Sequence, residues 1–175
     1  MKRVAVVLLL LICVAGFGFS QSSGGSPKGT VSFVLTDSFA FVGMGGELYL
    51  NNIGLGATFT AMALGGTNSL VFLYEPGAYG RLYLGDPSGS MFLTSGVTYF
   101  TGAGGSLDTG IDKADLGLLN VNAGIGYNAF FGTGDKTRFS FEIGPRYVVP
   151  VSADTGSSTG WIWVHFSIMF GMNIF

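Results

Sequence analysis

A chain of 175 residues is the size of one domain. Only 10% of it is charged and 48% is hydrophobic, against about 25% charge in a soluble domain, so a wholly wetted surface is excluded. One cysteine excludes a disulfide framework, and a formal charge of -2 makes nucleic acid a poor partner.

The N-terminus reads as a targeting segment. Lys2 and Arg3 form a basic start, Val4 to Val14 an apolar core, and Gly18-Phe19-Ser20 a small-residue cleavage site before Gln21. A secretory signal peptide is therefore expected over residues 1–20. Its removal takes Cys13 with it, and the loss of two positive charges moves the formal charge from -2 to -4. Ile12 is not the small residue that lipidation of Cys13 would need. No later apolar run reaches the ~20 residues of a transmembrane helix. Residues 21–29, rich in Ser and Gly, are expected to be a flexible lead-in.

From residue 30 onward the chain alternates. A first strand is expected over Thr30–Thr36, with Val31, Phe33 and Leu35 on one face, then a tight turn at Asp37-Ser38. Phe39–Leu50 is the second, with Gly43, Gly45 and Gly46 marking a bulge or bend, and Asn51–Gly54 is a turn. Leu55–Ala63 is the third. The fourth is irregular: Leu70–Tyr74 does not alternate, Pro76-Gly77 interrupts it, and Ala78–Leu84 resumes. Gly85–Gly89 is a Pro-Gly turn, Met91–Thr101 the fifth strand, and Gly102–Asp115 a long loop. In the sixth, Leu116–Phe131, Leu119, Val121, Ala123, Ile125 and Tyr127 alternate with Asn120, Asn122, Gly124, Gly126 and Asn128. After a turn at Gly132–Thr137, Arg138–Val151 is the seventh strand, with Phe139, Phe141, Ile143 and Tyr147 out and Ser140, Glu142, Gly144 and Arg146 in. Ser152–Gly160 is a polar loop. The eighth strand runs from Trp161 to Phe175, with one face apolar throughout (Ile162, Val164, Phe166, Ile168, Phe170, Met172, Ile174). An internal echo supports this register: Gly46-Glu-Leu-Tyr-Leu50 and Gly80-Arg-Leu-Tyr-Leu84 differ only by an exchange of charge.

The reading is an all-β fold, an eight-stranded antiparallel up-and-down transmembrane β-barrel over residues 30–175. Strands of mixed face in a greasy, glycine-punctuated chain are the pattern of such barrels, and an even count returns both ends to one side. The signal peptide, the alternation and the final Phe175 together resemble the small bacterial outer-membrane barrels of the OmpA-barrel and OmpX-like kind, whose closing strand ends in phenylalanine and is read by the assembly machinery. Phe175 is the expected assembly signal. The apolar phase of the last strand is opposite to that of Phe175, and a bulge near Gly171 would reconcile the two. The resemblance implies a non-enzymatic, monomeric envelope protein of the outer membrane. Its partners are membrane lipid with lipopolysaccharide or its equivalent, and the barrel-assembly machinery. The alternative is a narrow channel or hydrophobic-solute transporter of the OmpW kind.

Within such a barrel the charged residues of interior phase are expected to form a structural polar network: Glu47, Arg81, Glu142, Arg146 and His165, surrounded by Tyr49, Tyr83, Asn120 and Asn122. By charge, Arg81 is the expected partner of Glu142, and Glu47 that of Arg146. Catalytic, cofactor and metal sites are not expected. His165-Phe-Ser167 resembles the His-x-Ser pair of outer-membrane lipid A deacylases, but no acid follows it in the chain to orient the histidine. Asp108, Asp112 and Asp115 share a loop with Lys113 without the spacing of a calcium-binding loop. The glycine clusters match no phosphate-binding fingerprint.

Overall fold

The computed structural model describes residues 29–37, 41–65, 69–106, 110–132, 135–151 and 159–174. Eight strands follow in chain order: β1 (Gly29–Thr36), β2 (Phe41–Leu50), β3 (Ile53–Gly65), β4 (Ser69–Tyr83), β5 (Gly89–Ser106), β6 (Gly110–Phe131), β7 (Thr137–Pro150) and β8 (Trp161–Asn173). Each pairs antiparallel with its neighbour in sequence, and β1 pairs with β8, so the sheet closes into a barrel without a free edge. Residues 1–28 and Phe175 lie outside the described residues, and with them the signal peptide, the lead-in apart from Gly29, and the assembly signal.

The period-two pattern decides which side chains face in. On β7 the burial alternates: Arg138, Ser140, Glu142, Arg146 and Val148 are buried, while Phe141, Ile143 and Tyr147 are exposed. The two echoed pentapeptides do the same on β2 and β4. Glu47, Tyr49, Arg81 and Tyr83 are buried, and Leu50, Leu82 and Leu84 are turned outward. Among the strand residues whose burial is described, no outward position carries a charge.

Three expectations are corrected. β4 is one continuous strand, paired one-to-one with β3 from Leu70↔Gly65 to Leu82↔Ile53. Pro76 lacks an N–H and cannot donate to a ladder, so only the pairing with β5 lapses, at Glu75 and Pro76. It resumes at Gly77↔Thr98 in the register of Tyr74↔Thr101. The segment Gly102–Asp115 is not a loop: β5 and β6, of 18 and 22 residues, continue as a paired hairpin to Ser106↔Gly110, past a register shift between Thr101 and Gly102. Finally, Gly171 carries no bulge, since both ladders of β8 pass through it without a shift, opposite Ser32 and Arg138. The glycine is needed there for close approach, because a Cβ would strike Val31 O and the Ser32 side chain.

The turns at the end where β1 begins and β8 ends are short. Asn51 takes a positive φ of 58° in the β2–β3 turn. In the β4–β5 turn the Asp86 carboxylate accepts the Ser88 N–H at 2.8 Å, and this bond holds its pKa below the ordinary carboxylate range. At the opposite end, Asp37 leaves β1 with a φ of 48°.

Candidate functional site

The lumen of an eight-stranded barrel is just wide enough for side chains to fill it, and here the filling is ionic. Glu47, Glu75 and Glu142 are all the glutamates of the chain; Arg81, Arg138 and Arg146 are all its arginines beyond Arg3. All six are buried inside the barrel. Among the residues whose burial is described, no lysine accompanies them. A guanidinium presents five donors in a planar fork and can serve two or three acceptors at once, which an ammonium on a flexible stem does less well.

The lower half of the network, toward the end where β1 begins and β8 ends, centres on Glu47. Its Oε2 accepts from Arg81 Nη1 at 2.8 Å, from Arg138 Nη2 at 2.5 Å and from the Tyr79 hydroxyl at 3.1 Å, and its Oε1 accepts from the Tyr83 hydroxyl at 2.5 Å. Arg138 also donates to Asn128 Oδ1 at 2.7 Å and to Thr30 Oγ1 at 2.8 Å. The Arg81 guanidinium lies over the Tyr79 and Phe92 rings, 4.5 and 4.3 Å from their centroids, an arrangement favourable to a cation. Tyr49, Tyr83 and Phe92, with Phe130 against them, close this end with apolar surface. Gly54 makes the room: a Cβ there would strike the Glu47 carboxylate and come within 3.0 Å of the Tyr83 ring.

The upper half is joined to the lower through Glu142, whose Oε2 accepts from Arg81 Nη2 at 2.5 Å and whose Oε1 lies 3.3 Å from His165 Nε2. Arg146 Nη1 bridges two carboxylates, Asp37 Oδ2 at 2.5 Å and Glu75 Oε1 at 3.0 Å. Glu75 also accepts from Thr98 Oγ1 and from Asn120 Nδ2. The imidazole has two arrangements. With only Nε2 protonated, the ring donates to Glu142 and its bare Nδ1 accepts from Arg146 Nη2 at 2.7 Å. With both nitrogens protonated, Nδ1 donates to Asp37 Oδ1 at 2.9 Å instead. A neutral ring leaves three arginines facing four carboxylates, and a protonated one balances them.

The structure brings together Glu47, Arg81, Glu142, Arg146 and His165 in one continuous lumenal network. The Arg81–Glu142 pair forms as expected. Glu47 and Arg146 do not meet: Arg138, one turn of the period below Ser140 on β7, reaches Glu47 first, and Arg146 is taken by Asp37 and Glu75. Sequence reasoning missed three members. Arg138 shares the parity of Ser140 and Glu142, and Glu75 that of Arg81 across Pro76, so both were within reach of the period-two rule. Asp37 was hidden by its place in a turn.

His165 does acquire acids, from β7 and from the end of β1 rather than from its own strand. Both of its nitrogens are engaged in the network, and no hydrogen bond joins it to Ser167, whose Oγ finds no partner among the described residues. A base with no free nitrogen toward the hydroxyl does not activate it. Asp108 lies outside the described residues, while Asp112, Lys113 and Asp115 belong to β6.

Cavities lined by network residues interrupt the filling, and two of them bear on the site. A small one of about 30 Å³ lies mid-barrel beside Thr36, Asn122, Arg146 and Ser167. Each of these four has a buried polar atom without a partner among the described residues, and the space suits one or two waters. The larger, about 260 Å³, opens at the mouth where β1 ends and β8 begins. Asp37, Glu75 and Arg146 face it from the network, and Phe41, Phe100, Trp161 and Trp163 from the strands around it.

Neither a family model nor a curated protein matches the chain. Among solved structures, the chain is similar to the N-terminal β-barrel domain of Pseudomonas aeruginosa OprF, at 13% identity over 85% of this chain and 99% of that one, with a TM-score of 0.47.

Proposed function

We propose that this protein is a non-enzymatic integral barrel of the bacterial outer membrane, plugged by its own lumenal side chains and presenting its long β5–β6 hairpin outside. The carrying observation is an inversion of polarity. Every glutamate and every arginine beyond Arg3 is buried inside, while 31 large hydrophobic side chains besides Trp161 and Trp163 are exposed among the described residues. Monomeric soluble proteins rarely expose an apolar patch beyond a few hundred Å²; hydrocarbon is the solvent that such a belt fits, and closure satisfies every strand edge within it. Outer-leaflet lipid is the partner the belt implies, and the assembly machinery the one that a lipid-facing barrel needs.

The plug reading rests on the Glu47–Arg81–Arg138 cluster and the aromatic seal beneath it. A narrow channel is the competing reading, favoured by the open chamber at the mouth, which ends on Arg146 and Glu75. The test is conductance of the purified, folded protein in planar bilayers, with folding shown by faster migration of the unboiled protein on a cold gel. Silence across a range of voltages is expected. Discrete conductance steps abolished by unfolding would replace the plug with the channel.

A further inference from the structure

We propose that the chamber at the loop-side mouth is a binding site for small organic cations, ammonium ions carried on an apolar or aromatic body. The first observation is where the two tryptophans point. Trp161 and Trp163 share the phase of His165, Ser167 and Met169, the lumenal side of β8, whereas Ile162 and Val164 between them face out. They therefore contribute nothing to an aromatic belt at a membrane surface, where such rings normally sit. Instead, although 45% and 59% exposed, they line the chamber together with Phe41 and Phe100.

The second observation is the charge at the floor. Asp37 and Glu75 share a single guanidinium, that of Arg146. The neighbouring titratable groups are His165, which contacts Asp37, and Glu142 beyond it. With the imidazole neutral, the floor carries more carboxylate than cation, and the Asp37 side chain, 16% exposed, is the most open of the paired groups. An anion entering the chamber would meet two carboxylates flanking Arg146, the only arginine among its described lining residues. With the imidazole neutral, a cation meets surplus negative charge below and aromatic rings around it, and both attract it. The volume of about 260 Å³ limits that ligand to a small one.

The chamber has its own reporter, because Trp161 and Trp163 are the only tryptophans of the chain. The full folded protein in an uncharged maltoside detergent is titrated with benzyltrimethylammonium, and in parallel with benzyl alcohol and benzenesulfonate. A saturable change in tryptophan emission is expected for the cation, with half-saturation at least tenfold below that of the neutral and anionic probes. Glu75→Gln and Asp37→Asn, each shown to be folded by cold-gel mobility, should each weaken the cation tenfold or more. Equal response to all three probes, preference for benzenesulfonate, no saturation, or folded variants that bind like the parent would each overturn the proposal. The wild-type selectivity decides the matter even where a variant does not fold. Conductance plays no part in the readout, so this result stands apart from the plug.

Discussion

Replacing Arg81 by Met probes the ionic plug at its most connected point. The side chain has no exposure, makes ion pairs at 2.8 Å to Glu47 and 2.5 Å to Glu142, and lies between two aromatic rings. Its loss is felt unequally. Glu47 keeps Arg138, Tyr83 and Tyr79, whereas among the described residues Glu142 keeps only the imidazole at 3.3 Å. The cost is therefore that of stranding one buried carboxylate, about 3–5 kcal/mol. The apolar thioether refills the slot between Tyr79 and Phe92, which places the value toward the lower end. Adding Glu142→Gln removes the stranded charge while keeping an acceptor for His165, so the double variant should recover about 1–3 kcal/mol. The assay is reversible urea unfolding in lipid vesicles, followed by tryptophan emission. A water-filled lumen would keep both carboxylates hydrated. An Arg81→Met variant within 1 kcal/mol of the parent, or a double no more stable than the single, would refute the plug.

Two further substitutions test the outside and the packing. Ile143 faces outward on β7 at 42% exposure; Ile143→Arg should cost about 2–4 kcal/mol if that face meets hydrocarbon, but under about 0.5 kcal/mol if it meets water, by the same unfolding assay. Gly54→Ala should cost about 1–3 kcal/mol by overpacking against Glu47 and Tyr83. Gly80→Ala, whose new Cβ would meet only Leu55 at 3.9 Å, is the matched control and should change the midpoint little.

What the sequence determined by itself is whatever depends on the local period of two. The alternation of β6, β7 and β8 told inside from outside residue by residue, and the echoed pentapeptides set the same phase on β2 and β4. Eight strands followed from the turns between them. Breaks in that local signal misled: Pro76 hid the continuity of β4 and with it Glu75, and the polar residues near Asp112 disguised a paired hairpin as a loop. The partners across the lumen were not legible at all. Glu47 was matched to Arg146 on charge alone, yet it meets Arg81 and Arg138, while Arg146 meets Asp37 and Glu75. Parity says only that a side chain points inward. Which inward side chains lie at the same height depends on strand tilt and stagger, and these are set once all eight strands close into one barrel.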